Sequence, residues 1–552
     1  MTDADPHVEW MHMDGDQSRR TEERQRIYTG FGLHLNPFVF FVSAGLILLF
    51  LFFGFSYPDA AGRIAGQVQD FLATYVGWFY ILSVGFFLMF VIWLFFTPYG
   101  HVRLGKNDEK PEFSYFSWFA MLFSAGMGIG LIFYGVAEPV IHYSHPPNGD
   151  AMTVAAARQA MRITFFHWGL HAWAIYIVLG LSLAYFAHRR GMSLSIRSAF
   201  YPLLGNRIYG LPGDIIDTFA VFGTLFGIAT SLGLGVQQIN AGLEYTGLLH
   251  STVDAAHAGE NPNLYYLIAG ITFVATLSVV SGLERGIVWL SNLNIALGTA
   301  LLLFVFFAGP DTLHLLRSFV QNTGDYLQSL ITLTFWNAAY KQDASWQKNW
   351  TLFYWAWWIS WAPFVGIFVA RISRGRTIRE FILGVLLVPT LLTFFWLTVF
   401  GNTALYMDLR EGIDLTSIVS ETTRIPEALY VVLEHMPLST VTSLVATIVI
   451  ASYFVTSSDS GSLVIDIITA GGHQDPPLAQ RLFWALMEGA VAAVLLFAGG
   501  LSALQTAAIT TALPMTIVLI FVCWGLVRAL RDEKFDYRHH PRPRDLDADE
   551  KQ

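Results

Sequence analysis

Long apolar runs separated by short polar segments dominate the sequence. A helix needs about 20 apolar residues to cross the hydrocarbon core of a bilayer, where no water pairs with its backbone groups. Runs of about that length predict twelve transmembrane helices, at residues 37–57, 74–98, 114–141, 163–187, 214–243, 264–283, 286–308, 350–370, 379–402, 438–457, 482–500 and 503–527. We therefore expect an all-α integral membrane protein.

Basic residues set the expected orientation of these spans. Of the 32 Lys and Arg residues, 24 lie in the two terminal segments and in the connections on their side, and the other 8 lie on the opposite side. None lies inside a span, since Arg379 is the first residue of the ninth span. Because basic residues concentrate on the cytoplasmic side of membrane proteins, both ends of the chain are expected to be cytoplasmic.

The composition supports this class and excludes others. Of the 552 residues, 54% are apolar and 13% are charged, against about 25% charged in soluble domains. That share excludes an ordinary soluble enzyme and a disordered chain, and the net charge of −9 excludes a nucleic-acid binder, which needs a basic field. The one cysteine, Cys523, excludes a disulfide scaffold and a thiolate metal cluster.

The third span carries glycines at three alternate positions, Gly126, Gly128 and Gly130. Each glycine costs about 1 kcal/mol relative to alanine inside a helix, so the run predicts an opened turn in the middle of the membrane. Close helix packing through small residues is the alternative, because Gly126 and Gly130 also match the GxxxG spacing.

The eighth span concentrates tryptophans before Pro363, which is expected to interrupt the helix because proline removes a backbone donor. Trp355 suits a lipid interface, but the other rings lie well inside the span. At 100° per residue, one arc of about 100° holds Tyr354, Trp357, Trp358 and Trp361. This aromatic face predicts a lined cavity.

The two interrupted spans are five apart, which predicts two five-helix repeats, spans 3–7 and 8–12, each beginning with an interrupted helix. Since five is odd, the repeats are inverted, an arrangement typical of secondary transporters with a site near the midplane. The expected organisation is a cytoplasmic N-terminal segment (1–36), two peripheral spans (37–113), the first repeat (114–308), an external connection (309–349) with an amphipathic helix from Thr312 to Trp336, the second repeat (350–527) and a short cytoplasmic tail (528–552).

The fourth span adds Trp168, Trp173 and Tyr176, which fall within about 140° of one another on a helical wheel. Together with Trp358 they would form a box of aromatic walls, and neither aromatic stretch contains Asp or Glu. A quaternary ammonium has no N–H to donate to a carboxylate, and aromatic faces attract it by about 0.5–2 kcal/mol per contact. The box therefore favours a methylated onium group, with hydrophobic core packing as the alternative.

The tenth span crowds four serines, a threonine and an aspartate into residues 453–462. Thr456 and Ser457 could supply neutral oxygens to a small hard cation such as sodium, although hydroxyls in membrane helices commonly bond back to their own backbone. Asp459 is either a functional ionisable group or a hydrogen-bond partner for backbone freed at the glycine break.

Two segments carry a resemblance to the betaine/choline/carnitine transporter family. They are Gly126–Leu131 followed by Ala137–Pro139, and Trp350–Arg379, and the likeness extends from Pro37 to Arg528. The resemblance implies a sodium-coupled symporter with an inverted-repeat fold in the inner membrane, a homotrimer that carries trimethylammonium-type compatible solutes and needs no cofactor.

The resemblance also assigns residues. It places the aromatic box on Trp168, Trp173, Tyr176 and Trp358, further pathway aromatics on Trp357 and Trp361, backbone contacts of the substrate on Gly126, Met127, Gly128 and Gly130, and sodium on the carbonyls of Ser124, Met127 and Tyr453 and the hydroxyls of Thr456 and Ser457. A second ion position matches Thr224, but Ile228 replaces its second threonine.

Departures from related subfamilies favour glycine betaine and sodium. Similar proton-coupled choline carriers have Asp where this chain has Gly130, and sodium-independent carnitine exchangers place an arginine near the ion site, whereas this chain has no Lys or Arg between Arg207 and Arg285. Choline, carnitine, dimethylsulfoniopropionate and ectoine remain alternative solutes, and protons remain an alternative coupling ion.

Two other protein classes are weaker alternatives. The pairs His142/His145, His167/His171 and His539/His540 suggest the histidine boxes of a membrane di-iron oxygenase, but the last pair falls on the opposite side of the membrane from the others, so no single site is expected to join them. An ion channel needs a continuous polar pore, which an aromatic box would obstruct.

Overall fold

The computed structural model describes residues 26–126, 128–250, 261–280, 284–341 and 344–533, without the side chains of 123–126 and 284–289. Its long helices are α1 (Pro37–Ser56), α2 (Pro58–Tyr75), α3 (Gly77–Phe96), α4 (Tyr115–Gly126), α5 (Ile129–Ser144), α6 (Val154–Trp168), α7 (Leu170–Ala184), α8 (Leu211–Tyr245), α9 (Pro262–Val280), α10 (Glu284–Ala308), α11 (Thr312–Thr334), α12 (Phe353–Arg371), α13 (Ile378–Leu397), α14 (Ser439–Thr469) and α15 (Leu478–Arg531).

Short elements connect these helices. An antiparallel hairpin of β1 (Tyr28–Gly30) and β2 (Leu33–Leu35) precedes α1 and pairs Tyr28 with Leu35. The short helices and helical turns are Pro98–His101, Tyr185–Arg189, Ile196–Phe200, Tyr201–Leu204, Gly205–Tyr209, Ser345–Gln347, Lys348–Leu352, Thr398–Asn402, Thr403–Tyr406, Met407–Glu411, Leu415–Ser420, Thr422–Glu427 and Ala428–Glu434.

The helices account for the twelve predicted spans. In the described part of the chain, ten helical segments are long and apolar enough to cross a membrane. The pair α4 and α5, of 12 and 16 residues, supplies a further crossing because its halves follow one another across the break. The 54-residue α15 bends at Gly499 and Gly500 and is far too long for one crossing of about 30 Å, so it supplies two.

The expected interruptions of the third and eighth spans have different outcomes. The third span is interrupted, because α4 ends at Gly126 and α5 begins at Ile129. The eighth span is not, and that expectation is wrong: the helix is continuous from Ser345 to Arg371, with a π-helical turn at Lys348–Leu352 and Pro363 inside it. Neighbouring helices cover α12 on almost every side, and such packing stabilises a proline-containing membrane helix.

Burial separates inner helices from lipid-facing ones. In the most apolar stretch of each helical segment, 89% of the residues are buried in Val154–Arg189 and in Leu211–Tyr245, and 83% in Ser345–Arg371. In α1 and α9 the share is 28%. Helix α12 packs against α7, α8 and α15. The predicted aromatic face therefore lies in the centre of the bundle.

Segments that the basic-residue pattern places on one side do meet at one face of the bundle. Backbone and side-chain hydrogen bonds join the start of α1 to the end of α14 and join three different connections to one another. We call this the terminal face; its contacts include Asn36 N to Thr469 O (2.8 Å), Arg103 Nη1 to Gly375 O (2.6 Å) and Arg189 Nη1 to Gly105 O (3.0 Å).

Two helices lie outside the twelve spans. The predicted amphipathic helix is confirmed as α11, which buries Leu315, Asn322 and Tyr326 and exposes Val320 and Ile331. Helix α2 was not predicted, because its many polar residues give it a lower hydropathy than a membrane span needs.

Candidate functional site

The break between α4 and α5 lets two large rings approach the backbone. Gly128 caps the start of α5, and a Cβ on Gly130 would lie 2.4 Å from Cη2 of Trp357 and 3.3 Å from Cη2 of Trp168. Only glycine fits at position 130 with the rings in these places. Met127 and the side chain of Ser124 lie outside the described residues, so their predicted roles remain predictions.

A second break, at Gly169, divides the fourth span into α6 and α7. The wheel argument assumed one continuous helix and is wrong in that respect, because Trp168 ends α6 whereas Trp173 and Tyr176 belong to α7. A Cβ on Gly169 would lie 2.5 Å from the carbonyl oxygen of Phe165 and 2.9 Å from Cζ of Phe394. Crowding on both sides therefore requires glycine where the helix is interrupted.

The rings of these two elements and of α12 meet around one central cavity. The empty space between the rings, including the part open to solvent, is about 420 Å³. It is lined by Gly128, Gly130, Leu131, Trp168, Ala172, Trp173, Tyr176, Trp357, Trp358, Trp361 and Thr393. The structure thus brings together every described residue that the sequence suggested for the aromatic box and its pathway.

The ring planes form walls at large angles to one another. Trp168 and Trp358 lie with centroids 4.9 Å apart and planes at 68°, and Trp173 and Tyr176 lie 5.5 Å apart at 77°. Along α12, Trp357 stacks on Trp358 with centroids 4.7 Å apart and planes at 15°. Such a box presents the electron-rich faces of several rings to one enclosed volume, which is the geometry that attracts a cation.

Two polar atoms at the cavity have no protein partner within the described residues. They are the hydroxyl of Tyr176 and Nε1 of Trp361, both buried. By contrast, Nε1 of Trp358 donates to the carbonyl of His167 at 2.9 Å. Buried donors usually find an acceptor, so the two unpaired donors are available to a ligand in the cavity.

A carboxylate that the sequence analysis did not place at the box lies directly behind it. Glu138 of α5 is fully buried. Its Oε2 accepts hydrogen bonds from Nε1 of Trp168 at 2.7 Å and from the hydroxyl of Tyr354 at 2.5 Å. Glu138 belongs to neither aromatic stretch and does not line the cavity, so this anion lies in the layer behind the aromatic wall.

Two histidines complete the surroundings of this carboxylate. Oε1 of Glu138 lies 2.6 Å from Nδ1 of His167 and 3.2 Å from Nε2 of His142, and Nε2 of His167 lies 3.0 Å from the hydroxyl of Thr351. Neutral tautomers that donate from those two nitrogens give the carboxylate four donors. Four donors and no acceptor fit the ionised form of Glu138.

This cluster joins one histidine from each of the first two pairs. Glu138, His142 and His167 bring three potential ligand atoms within 4.8 Å of one another, whereas the sequence analysis excluded only a site that joins all three pairs. The 2.6 Å separation of Oε1 and Nδ1 is a hydrogen-bond distance and is shorter than the spacing of two ligands around one zinc ion, about 3.4 Å for bonds near 2.1 Å. The cluster is therefore a hydrogen-bonded network.

The sequence did contain a signal for Glu138. It stands inside an apolar span, and an ionisable residue there is a functional candidate by default. Its spacing of four from His142 also puts both side chains on one helix face. What the sequence could not show is that Trp168 and Tyr354, from two other helices, converge on the same carboxylate.

Three of the predicted sodium ligands, Tyr453, Thr456 and Ser457, lie on α14, which packs against α5. The hydroxyl of Thr456 donates to the carbonyls of Ser452 and Tyr453 at 3.1 and 3.2 Å and accepts from Nδ2 of Asn294 at 3.3 Å. Ser457 is half-buried beside it. Asn294 of α10 is a further polar group at this place that the sequence analysis missed, since nothing in the sequence pairs α10 with α14.

The remaining candidates have simple surroundings. Thr224 is buried and its hydroxyl has no partner within the described residues, and Ile228 is buried one turn further along α8. Asp459 forms an ion pair with Nη2 of Arg481 at 3.4 Å. Both roles that the sequence left open for Asp459 stay predictions.

Fold and site together define a multi-span membrane transporter with a central aromatic cavity. The model of the betaine/carnitine/choline transporter family matches residues 38–535, and the chain belongs to this family. Its members are transporters rather than enzymes, so the oxygenase alternative is excluded.

Named relatives are similar over most of the chain. A glycine betaine transporter of Acinetobacter baylyi is 47% identical over 502 residues, covering 90% of this chain and 74% of the relative. The glycine betaine transporter OpuD of Bacillus subtilis is 44% identical over 504 residues, covering 90% and 94%. The high-affinity choline transport protein of Escherichia coli is 44% identical over 515 residues, covering 93% and 74%.

Proposed function

We propose that the protein takes up glycine betaine across the inner membrane by sodium-coupled symport, as a homotrimer with both termini in the cytoplasm. The observation that carries this proposal is the cavity walled by Trp168, Trp173, Tyr176 and Trp358. A trimethylammonium group presents methyl hydrogens with distributed positive charge on every side, which suits ring faces on several sides at once.

Glu138 strengthens the attraction of the box for a cation. Its charge is desolvated and hydrogen-bonded to the N–H of Trp168. Hydrogen bonds to an ionised acceptor polarise the donor, so electron density on the Trp168 ring rises and its face attracts a cation more strongly. The carboxylate itself stays behind the ring, where it cannot form an ion pair with the substrate.

The unpaired donors of the cavity favour a substrate that carries a carboxylate as well as the trimethylammonium group, that is, a zwitterion. The hydroxyl of Tyr176 and Nε1 of Trp361 are unpaired donors at the cavity, and a substrate carboxylate is the acceptor that two such donors suit. Gly130 leaves no room for an aspartate beside Trp357, so the cavity offers no anion of its own to balance a net cation such as choline. Of the three relatives named above, two are glycine betaine transporters and one is a choline transporter.

We place the coupling ion between α14 and the α4–α5 break. The proposed ligands are the hydroxyls of Thr456 and Ser457 with the carbonyl of Tyr453. Carbonyls of Ser124 and Met127 complete the set. One ion is proposed rather than two, because the apolar Ile228 stands where Thr224 would need a second oxygen-bearing partner.

One sodium ion is enough to drive accumulation. Entry down 100 mV releases about 2.3 kcal/mol, and a tenfold gradient adds about 1.4 kcal/mol. Together these support an accumulation of a zwitterion by about 500-fold. Sodium entry drives solute uptake if the aromatic cavity and the sodium site open together, first to one side of the membrane and then to the other.

The test is uptake of labelled glycine betaine into proteoliposomes, with a sodium gradient or a pH gradient as the only driving force. We expect saturable uptake with a sodium gradient alone. Competition by choline, carnitine, dimethylsulfoniopropionate and ectoine then ranks these solutes by their affinity for the transporter. The double variant Thr456→Ala/Ser457→Ala should weaken sodium activation.

The matched control for that variant is Thr442→Ala, on the same helix and with the same hydroxyl bond to the carbonyl four residues earlier. It should leave sodium activation unchanged. Uptake driven by a pH gradient alone would contradict sodium coupling, and an unchanged sodium dependence of the double variant would contradict the proposed ion ligands.

A further inference from the structure

A second buried carboxyl group, Glu488, lies near the middle of the membrane and far from the aromatic box in sequence. It is ten residues beyond the start of α15 at Leu478 and eleven before the bend at Gly499. At 1.5 Å per residue, about 15 Å of helix separates it from either end of this crossing. The side chain is fully buried.

Only one hydrogen bond reaches this carboxyl group within the described residues. The hydroxyl of Ser458 on α14 lies 3.0 Å from Oε2, and Oε1 has no partner. On the Oε1 side, a Cβ on Gly461 would lie 2.8 Å from Oε1 and 2.3 Å from Cδ1 of Ile228. Oε1 therefore faces backbone and an aliphatic side chain.

No basic side chain forms an ion pair with Glu488 within the described residues, and Arg63 of α2, which also packs against α15, follows Gly62, whose Cβ would meet Ala498 near the bend. Helix α8 has no charged residue between Asp217 and Glu244, and α9 has none. Helix α14 contributes only the acids Asp459 and Asp466. The nearest base in sequence on α15, Arg481, stands seven residues before Glu488 and is paired with Asp459.

An ionised carboxylate would raise the free energy of the folded protein here, because a buried charge loses its hydration and no counter-charge compensates for the loss. The neutral acid fits the same contacts, since its O–H at Oε2 can donate to the hydroxyl oxygen of Ser458, leaving only a carbonyl-like Oε1 unpaired. We propose that Glu488 is a proton-binding site of this transporter, which holds a proton in the conformation described here and exchanges it with water at the terminal face.

A proton suits this position better than a metal ion. Sodium and other hard cations need several oxygen ligands, and the surroundings of Glu488 supply its own carboxyl and one hydroxyl, with Ile228 and Gly461 closing the rest. Neither Thr456 nor Ser457 donates a hydrogen bond to Glu488, although its partner Ser458 directly follows Ser457 in the chain.

A discontinuous row of polar contacts lies between this site and the terminal face along the α14–α15 interface, and none of these contacts shares a residue with the Glu488–Ser458 pair. Arg481 and Asp459 pair at 3.4 Å, and Gln480 donates to Oδ1 of Asp466 at 2.9 Å. Gln480 also donates to the backbone of the N-terminal hairpin, at the carbonyl of His34. The exchange reaction is simple protonation: the carboxylate takes a proton delivered by water along this row and returns it by the same path.

The direct test is infrared spectroscopy of the full-length protein in lipid at neutral and alkaline pH. A protonated carboxyl group absorbs as a carboxylic-acid C=O band, which exposed acids lose once they ionise. We expect wild-type protein to keep such a band at neutral pH, Glu488→Gln to lose one carboxyl equivalent of it, and Glu411→Gln, an exposed control, to keep it. An equal band in wild-type and Glu488→Gln protein overturns the proposal.

Ser458→Ala keeps the test decisive if Glu488→Gln does not fold. It leaves the acid in place but removes its hydrogen-bond partner, so the band should remain and shift in frequency. An unshifted band shows that the absorbing acid is not Glu488 and overturns the assignment.

Proton exchange has a second readout, which rests on the proposed function. Sodium-driven uptake by wild-type protein should fall by about tenfold per pH unit above the titration midpoint, as loss of a single proton requires. Glu488→Gln, which mimics the protonated form, should change less than twofold over the same range. A fall equal to that of the wild type overturns the exchange step. If no solute is taken up at any pH while the infrared band is present, the proposed function fails and the proton site stands.

Discussion

At the scale of the residue, recognition depends on ring faces whose electron density is set by what lies behind them. Trp358 is held by its hydrogen bond to His167, and Trp168 by its bond to Glu138. Both indole N–H groups point away from the cavity to protein acceptors. The rings therefore present their faces, and the buried carboxylate acts on the substrate through Trp168 rather than by contact.

Trp358 and Trp355 form a matched pair on one helix, because both are buried but only Trp358 lines the cavity. Trp355 packs against Phe166, with centroids 5.0 Å apart. Trp358→Phe should weaken glycine betaine binding by about tenfold, since a cation–π contact is worth about 0.5–2 kcal/mol. Trp355→Phe should change binding less than twofold. Equilibrium binding measures both affinities. Equal losses of affinity in the two variants would show that the tryptophans act through helix packing and not through contact with the solute.

Glu138→Gln tests the charge behind the box. The amide keeps the shape but turns an N–H₂ group toward donors, so thermal stability should fall by about 1–3 kcal/mol, and affinity for trimethylammonium solutes should fall as well. Tyr354→Phe removes one of four donors and should have a smaller effect on both. If Glu138→Gln has the affinity and melting temperature of the wild type, Glu138 contributes neither to solute binding nor to stability.

At the scale of the element, local sequence shows where a helix is weak, and packing decides whether it breaks. The alternate glycines of the third span predicted the break between α4 and α5. Pro363 predicted a break that does not occur, because α12 is enclosed by other helices. The single Gly169 gave no usable signal, since its requirement for glycine comes from Phe394, a residue far away in sequence.

Gly169→Ala should therefore disturb the junction of α6 and α7. Its Cβ would meet the carbonyl of Phe165 at 2.5 Å and the ring of Phe394 at 2.9 Å, so we expect a loss of about 1–3 kcal/mol from overpacking and weaker solute binding. The control is Gly270→Ala in α9, where a Cβ would have no atom within 4 Å. That change should be neutral or stabilising in a thermal unfolding assay, and the opposite order of the two variants would refute the steric account.

At the scale of the whole molecule, the spans and the grouping of their connections at one face could be predicted, because hydropathy and basic residues act along the chain. The side of the membrane on which that face lies stays a prediction. The network around Glu138 could not be predicted, since it joins α5, α6 and α12 across long sequence separations. The same holds at the terminal face, where Glu533 lies 2.6 Å from Nη2 of Arg189 and also accepts from the hydroxyl of Tyr185. This contact fastens the end of α15 to the end of the fourth span.

The contact at Glu533 should make stability depend on pH. Burial raises the pKa of this carboxyl group, but hydrogen bonds from Arg189 and Tyr185 and the charges of Arg189 and Arg190 outweigh it and hold the pKa below its ordinary value. A depressed pKa adds stability above the unfolded-state value and loses it as the pH falls through the folded-state value. Wild-type protein should therefore melt higher than Glu533→Gln at neutral pH, and the difference should vanish in acid.

The surface pair Arg424–Glu427 offers the control for that measurement. Its side chains are each 33% exposed, and exposed pairs contribute about 0–1 kcal/mol, so Glu427→Gln should leave the melting temperature almost unchanged at every pH. An equal pH dependence in the two variants would remove the fastening role of Glu533.

The central claim is that the cavity recognises a methylated nitrogen by its charge and not only by its shape. Replacing the nitrogen of glycine betaine by carbon gives 3,3-dimethylbutanoate, which has the same outline without the positive charge. Equilibrium binding of both compounds, followed by tryptophan fluorescence in sodium buffer, separates the two contributions. With several ring contacts of about 0.5–2 kcal/mol each, the carbon compound should bind at least about 100-fold more weakly. Equal affinity for the two compounds would contradict the account.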